Sequence, residues 1–267
     1  MRIGSLAAVS VFVVAFGGAA AATDLPMPYK AAPRVVAAAP AVYNWTGFYA
    51  GVNLGGGWVD NDNTGTLNAL VGGGGVFVAN AATSASFSGI VGGGQIGYNW
   101  QTGHLVFGLE ADIDGSSASG NTSVGCGVAA CTLTGTPNVD AFGTFRGRVG
   151  YAQDNWLFYV TGGFAWQHVA NTVTTTAAGG TATLFNASAT QGGYVIGVGA
   201  EVAIAPRWTA GLEYLHLDTG TFTLFNGAVP GAVLGVLGAP AGTTATFTDT
   251  ERMQTNIVRA RLNYRFW

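Results

Sequence analysis

The sequence predicts an all-β chain that closes into an eight-stranded antiparallel transmembrane β-barrel. Only 9% of the 267 residues are charged and 49% are hydrophobic, whereas an ordinary soluble domain carries about 25% charged residues. The 43 glycines disfavour an all-helical membrane protein, because each glycine destabilises a helix by about 1 kcal/mol. Several stretches alternate apolar and polar side chains with the period of two that a β-strand requires.

The N-terminus has the features of a secretory signal. Arg2 supplies a positive charge, residues 6–16 (LAAVSVFVVAF) form an apolar core, and the alanines at 20–22 fit a cleavage site. The core is shorter than the roughly 20 residues of a membrane-spanning helix, so a cleaved signal is favoured over an anchor. We predict a signal peptide over 1–22, a Pro- and Ala-rich periplasmic segment over 23–43 and the barrel over 44–267.

The rest of the chain holds no further run of 18 apolar residues, the length that indicates a transmembrane helix. An exported chain of this kind is therefore either soluble or crosses a membrane as a closed barrel. A barrel is the one alternative to helices that satisfies every backbone polar group in lipid.

Eight segments carry the strand alternation. In order, they cover residues 46–58, 88–100, 104–114, 139–151, 156–168, 190–204, 207–217 and 253–267. Each places apolar side chains on one face and polar side chains or glycine on the other. Neighbouring apolar and polar residues from the eight segments, in order, are Val52 and Asn53, Ile96 and Gln95, Leu109 and Glu110, Phe145 and Arg146, Phe158 and Tyr159, Val202 and Glu201, Leu212 and Glu213, and Leu262 and Arg261.

The connections between the segments alternate in length. Residues 101–103, 153–155 and 205–206 are short connections, and 59–87, 115–138, 169–189 and 218–252 are long ones. This pattern predicts short periplasmic turns at one end and four long extracellular loops at the other. Strands of about 11 residues match a tilted crossing of the hydrocarbon layer.

Aromatic side chains and charges indicate which face of each strand meets lipid. Aromatic residues on the apolar faces lie near strand ends, as expected of side chains at the two membrane interfaces. The predicted interfacial set is Trp58, Tyr98, Trp100, Tyr151, Trp156, Trp166, Trp208 and Phe266. The opposite faces carry charges in mid-strand, which a dry soluble core would not bury. We therefore predict apolar faces towards lipid and polar faces towards the lumen.

Charged residues on the inward faces form the candidate site. The set has four acids and four arginines: Glu110, Asp112, Glu201, Glu213, Arg146, Arg148, Arg259 and Arg261. Because the interior of an eight-stranded barrel is only wide enough for side chains to fill, the balanced set favours a salt-bridged plug. A narrow, gated pore lined by the same charges is the alternative. Strands seven and eight are neighbours, so we expect Glu213 to pair with Arg259 or Arg261.

Other chemistry has little support in the sequence. Cys126 and Cys131 lie close together in an exported chain, which favours a disulfide, with unlinked thiols as the alternative. The three histidines fall in different segments, so we expect neither a metal site nor a cofactor. No serine lies at a spacing from a histidine and an acid that indicates a catalytic triad, so we expect that the protein is not an enzyme. With a net charge of -3, the composition gives no reason to expect nucleic acid as a partner.

Three motifs resemble a known family. YNWTGFYAGVNLGGGW at 43–58, GGQIGYNWQ at 93–101 and the closing LNYRFW are similar to the small outer-membrane β-barrel proteins of alphaproteobacteria. These are porin-family surface antigens related to the OmpA-like transmembrane barrel, and some are described as haemin-binding. The resemblance implies that Tyr264, Phe266 and Trp267 form the C-terminal signal read by the barrel assembly machinery.

From composition and resemblance together, we expect an outer-membrane location and a structural, surface-antigen role in envelope integrity. Outer-membrane lipid and lipopolysaccharide are the expected surroundings, and the barrel assembly machinery is the expected partner during biogenesis. A narrow porin, or loops that bind haemin or a host surface, are the alternatives. Closure leaves no sheet edge that demands a partner, so oligomerisation is not required.

Overall fold

The computed structural model describes residues 43–71, 75–125 and 131–266. The predicted signal peptide and almost all of the predicted Pro- and Ala-rich segment lie outside the described residues, as do Cys126 and Trp267. The predicted disulfide and the last residue of the predicted assembly signal therefore stay predictions.

Strands account for nearly all of the described chain. They are β1 (Gly47–Val71), β2 (Gly75–Thr102), β3 (Leu105–Ser119), β4 (Thr122–Gly125), β5 (Thr132–Gln153), β6 (Trp156–Ala177), β7 (Gly180–Ala205), β8 (Trp208–Ala228) and β9 (Thr244–Arg265), with one short helix, α1 (Gly231–Val236). In the parts of the chain that the structure covers, no helix is long and apolar enough to cross a membrane.

The sheet closes into a ring of eight strands, as predicted. Each strand pairs antiparallel with its neighbours in the order β3, β2, β1, β9, β8, β7, β6, β5, and the pairing of β3 with β5 completes the ring. The short β4 pairs with the start of β5, beside the ring closure. All eight walls of the barrel are therefore hydrogen-bonded ladders, which leave no open edge within the ring.

Two-residue turns join β2 to β3, β5 to β6 and β7 to β8. Gly103 and Asp154 adopt positive φ values of 61° and 54° in the first two of these turns, a conformation that glycine and aspartate tolerate better than most residues. We call this the lower end of the barrel and the opposite end the upper end. The prediction of short turns at one end is confirmed.

The prediction of four long loops at the upper end is wrong in part. Residues predicted as loops at 59–87 and 169–189 instead extend β1, β2, β6 and β7, so that three residues, 72–74, separate β1 from β2. Outward side chains in the extensions, such as Asp60, Asp62, Ser84 and Ser86, are polar and exposed. The alternation of apolar and polar residues ends where lipid ends, but the backbone ladder continues into water.

Alternate side chains of each strand point out of the barrel or into it. On β9, outward Leu262 is 38% exposed and inward Arg261 is 3% exposed. Outward Phe158 on β6 is 53% exposed, and its inward neighbour Tyr159 is 5% exposed. The exposed apolar face is the lipid-facing surface, and the buried face fills the interior.

The interior is built in layers. Along β9, successive inward side chains lie in successive layers. From the lower end upward, these are Asn263, Arg261, Arg259, Ile257, Thr255, Met253, Glu251, Asp249, Phe247 and Ala245. The arginines lie in a charged layer, Ile257 and Met253 lie in two apolar clusters, and Phe247 lies in a third at the upper end. The helix α1 belongs to that uppermost cluster through the buried side chain of Val233.

Candidate functional site

Nine charged side chains from five strands meet in the charged layer. β3 contributes Glu110, Asp112 and Asp114, β5 contributes Arg146 and Arg148, β7 contributes Glu201, β8 contributes Glu213, and β9 contributes Arg259 and Arg261. The most exposed of the nine is Asp112, at 7%. The register explains two of the contacts, because Glu110 lies opposite Arg146 and Glu213 lies opposite Arg259 on paired strands.

Two arginines bridge opposite walls of the lumen. Arg146 forms ion pairs with Glu110, with Asp112 at 2.7 Å and with Glu213 at 3.0 Å. Arg259 binds Glu213 at 2.8 Å, and both Asp112 and Asp114 at 2.9 Å. Each guanidinium therefore donates hydrogen bonds to three carboxylates, because its planar group carries several N–H donors.

The other two arginines lie on the lower side of the layer. Arg148 binds Glu201 at 2.8 Å, and Arg261 binds Glu213 at 2.9 Å and also Glu110. The guanidinium carbon of Arg148 lies 4.8 Å from the ring centroid of Tyr49 and 5.2 Å from that of Tyr159. These rings add cation–π contacts to the ion pairs.

Glu213 accepts hydrogen bonds from three arginines, more than any other of the five carboxylates. One of its oxygens accepts hydrogen bonds from Arg146, Arg261 and Tyr159 at 2.9–3.0 Å. Its other oxygen accepts from Nε of Arg259 at 2.9 Å. Both oxygens are therefore surrounded by donors from three arginines and one tyrosine.

The structure brings all eight sequence-predicted lumen residues into this one layer. Glu213 contacts both Arg259 and Arg261, where the sequence suggested either one. Asp114 was not among the predicted lumen residues, and it raises the formal count of the layer to five carboxylates and four arginines. Tyr49 and Tyr159 were not among the predicted lumen residues either, although both lie on the polar faces of their segments.

Inward glycines make room for the two tyrosines. Tyr49 pairs with Gly97 on β2, and Tyr159 pairs with Gly199 on β7. A Cβ atom added to Gly97 would lie 2.2 Å from the Tyr49 hydroxyl oxygen, and one added to Gly199 would lie 2.4 Å from that of Tyr159. Part of the high glycine content is thus explained by the close packing of the lumen.

A residue that precedes the first strand packs inside the lower end of the barrel. The ring of Trp45, 2% exposed, packs with Val106, Ala152 and Leu157. The backbone N–H of Trp45 donates to the side chain of Gln101 at 2.6 Å. This apolar cluster lies between the charged layer and the lower end.

The predicted interfacial aromatics all lie on the outward face. Trp58, Trp100, Tyr151, Trp156, Trp208 and Phe266 are 41–50% exposed, and Tyr98 and Trp166 are partly exposed. Most cluster near the lower end, where the rings of Tyr98 and Trp100 lie 4.5 Å apart. Trp58 lies ten residues above Phe48 on β1, which corresponds to about 25 Å of height in a tilted strand.

The remaining candidate residues are described only in part. Tyr264 packs against Trp208 and Phe266, with ring centroids 5.1 Å and 5.6 Å away, at the lower edge of the aromatic surface. Cys131 is buried at 5% exposure. Among the residues that the structure describes, no group of three or more histidine, cysteine, aspartate or glutamate side chains is placed to share a metal ion.

Comparisons with known proteins agree with this architecture. The sequence matches the outer membrane protein β-barrel domain family over residues 31–266. It is 34% identical over 223 residues to the 31 kDa outer-membrane immunogenic protein of Brucella melitensis, covering 77% of this chain and 83% of the relative. It is 33% identical over 129 residues to the 22 kDa outer membrane protein of Rhizobium leguminosarum, covering 47% of this chain and 52% of the relative.

Two solved structures with low sequence identity also align. The outer membrane protein OprG from Pseudomonas aeruginosa has a TM-score of 0.45 and 11% identity, and the alignment covers 84% of this chain and 98% of that chain. The outer membrane protease OmpT from Escherichia coli has a TM-score of 0.41 and 11% identity over the same shares.

Proposed function

Because the chain belongs to the outer membrane protein β-barrel family and resides in the cell outer membrane, we propose that it is a structural barrel with a closed lumen. In this role it contributes to the integrity of the envelope and presents its upper end as a surface antigen. It catalyses no reaction. The short turns of such barrels lie on the periplasmic side. The lower end of this barrel therefore faces the periplasm, and the upper end faces the exterior.

The observation that carries the proposal is the burial of the charged layer. All nine side chains are at most 7% exposed, and every arginine among them contacts at least two carboxylates. A passing ion would have to separate these pairs, and removing one partner of a buried pair costs about 3–5 kcal/mol. Apolar clusters also lie above and below the layer.

The surface-antigen role is supported by the outer extensions and by the relatives. The Brucella relative is named an immunogenic protein. In this chain, β1 and β2 continue beyond the apolar surface, with exposed polar side chains such as Asp62 and Ser84, which are hydrogen-bonded to each other at 2.7 Å. Antibodies raised against the folded barrel should label intact cells, and labelling that requires permeabilised cells would contradict this role.

Planar-bilayer conductance tests whether the lumen is closed. We expect the folded wild-type barrel to show no reproducible current steps. A variant with both Arg146→Ala and Glu213→Ala should show steps, because it removes two central members of the layer. The matched control is Arg252→Ala, which removes an outward-facing ion pair with Asp218 at 2.9 Å and should leave the barrel silent.

Folding of each preparation is checked by heat-dependent gel mobility before the recording. Discrete, reproducible steps from the folded wild-type barrel would contradict the closed lumen and make the protein a narrow pore. The arginines and carboxylates of the charged layer would then determine its ion selectivity.

A further inference from the structure

A cavity of about 440 Å³ lies in the upper end of the barrel, far from the charged layer. Its walls are inward side chains of the strand extensions, including Leu67, Leu133, Leu184 and Phe247, and one side is formed by Val233 of α1. Its volume lies within the range of about 300–1,000 Å³ that is typical of small-molecule sites. The wall is predominantly apolar, so the occupant must be predominantly apolar as well.

The base of this cavity is polar. A second cavity of about 50 Å³ lies against the first and shares Gly65, Ala81, Leu133 and Phe247 with it. Asn171 and Asp249 line this smaller cavity, and Asp249 is 1% exposed. The apolar cavity thus opens downward onto a small, buried polar space.

Hydrogen-bond acceptors in this polar space outnumber the donors. Asn63 donates to Asp249 at 2.8 Å, and Asn171 donates to Glu251 at 2.8 Å. The second carboxylate oxygen of each acid is buried without a hydrogen-bond partner, and so is the side-chain oxygen of Asn171, a residue only 4% exposed. Thr175, 1% exposed, lines the larger cavity with an unpartnered hydroxyl.

The two carboxylates also lack a basic partner. Of the arginines in the described ranges, none forms an ion pair with Asp249 or Glu251, and the nearby Arg252 points outward to Asp218. Buried carboxylates in proteins are normally paired with a cation or neutralised by a proton. A cationic hydrogen-bond donor would complete this group of oxygens.

We propose that the upper end of the barrel binds a small amphiphilic amine, with its apolar body in the larger cavity and its ammonium group against Asp249 and Glu251. The three protons of a primary ammonium group would satisfy oxygens of these acids and of Asn171. The site lies above two apolar layers, so it is independent of whether the lumen conducts.

The protonation of the acids supports this assignment. Burial raises the pKa of Glu251 to about 7, and the neighbouring Asp249 carboxyl adds to the rise. Burial also raises the pKa of Asp249. The other facing groups are the neutral amides of Asn63 and Asn171. In the empty site, a proton on Glu251 reduces the charge of the two acids from −2 to −1, and the ammonium group replaces that proton when the amine binds.

The test uses the full barrel in lipid nanodiscs, with 4-phenylbutylamine and the size-matched anion 4-phenylbutyrate as probes in calorimetric titrations. We expect saturable binding of the amine and no binding of the anion, after subtraction of empty nanodiscs. The amine affinity should fall about tenfold from pH 8 to pH 6, because Glu251 becomes protonated over this interval.

Two variants locate the site. Asp249→Asn combined with Glu251→Gln should weaken amine binding at least tenfold and remove its pH dependence. Ala69→Phe should block the larger cavity, which Ala69 lines, without changing the acids. Ser84→Ala, on the outward face, is the matched control and should bind as the wild type does.

Equal binding of the amine and the anion would overturn the proposal, as would amine binding that both site variants retain. Binding seen equally in empty nanodiscs would also overturn it, because the probe would then be partitioning into lipid. If one variant fails the heat-mobility test for folding, the other variant and the pH series still decide the question.

Discussion

The layout of the charged layer leads to a prediction about two of its carboxylates. Glu213→Gln and Asp114→Asn each replace a buried carboxylate with an amide of the same shape, and each removes one formal negative charge from the same layer. Glu213 contacts three arginines at 2.8–3.0 Å, whereas Asp114 contacts Arg259 alone, at 2.9 Å.

The expected costs differ because the geometry differs. Both oxygens of Glu213 accept hydrogen bonds, so an amide NH₂ group at either position would point a donor at an arginine. We expect Glu213→Gln to cost about 3–5 kcal/mol, the penalty for breaking a buried ion pair. Asp114→Asn leaves four carboxylates to four arginines and disturbs one contact. We expect its cost to be within about 1 kcal/mol.

Equilibrium unfolding in guanidinium measures both costs. The barrel is refolded into phospholipid vesicles, and tryptophan fluorescence and heat-dependent gel mobility follow its unfolding. The difference between the two variants should be at least about 2 kcal/mol. If stability depended only on the total charge of the layer, the two variants would lose the same amount. Equal costs, or a larger cost for Asp114→Asn, would refute the reasoning.

Two further predictions concern packing and pH. Gly199→Ala should destabilise the barrel by about 1–3 kcal/mol, because the added Cβ would lie 2.4 Å from the Tyr159 hydroxyl oxygen. The control in the same unfolding assay is the lipid-facing Gly147→Ala, whose added Cβ would lie 3.9 Å from the nearest atom, the carbonyl oxygen of Gly162. The raised pKa of Glu251, about 7 against an ordinary 4.5, means that the folded state holds its proton more tightly than the unfolded state. The resulting stability is fully present below about pH 4.5 and is lost as the pH rises through 7, a change of about 3 kcal/mol. Unfolding midpoints measured from pH 4 to pH 8 should show this decline in the wild type and a smaller decline in Glu251→Gln, where the buried Asp249 still has a raised pKa. An unchanged slope in the variant would contradict the prediction.

The membrane-spanning part of the fold was predictable because lipid imposes a strict alternation. Leu262 and Arg261 cannot exchange faces without placing a charge in hydrocarbon, so parity alone indicated which side chains fill the lumen. Above the apolar surface that constraint ends. On β1, Asp60 and Asp62 face water, and their inward neighbours are Val59 and Asn61. A stretch with so many polar residues is also typical of a loop.

Contacts across the lumen were harder to predict than contacts between adjacent strands. Glu213 and Arg259 lie on neighbouring strands, so topology alone suggested that pair. Asp114 binds Arg259 from a strand that is 145 residues away in sequence and is not its neighbour in the sheet. Such a contact depends on the diameter of the barrel and on the register of both strands, neither of which the alternation pattern specifies.

One signal in the sequence could have indicated more of the lumen. Tyr49 and Tyr159, both inward, each lie directly opposite a glycine on the next strand, Gly97 and Gly199. A large inward side chain needs a small partner in the next strand. Pairing inward tyrosines with inward glycines would therefore have helped to align β1 with β2 and β6 with β7.

The extension of the strands beyond the apolar surface determines what an antibody can recognise. At the height of Asp62, the outer wall combines Ser84 of β2 and Arg252 of β9, which flank Asp62 on either side. These residues are far apart in sequence and adjacent only in the folded sheet. An epitope at this height would therefore be conformational, and sera raised against denatured protein or short peptides would bind the native surface poorly.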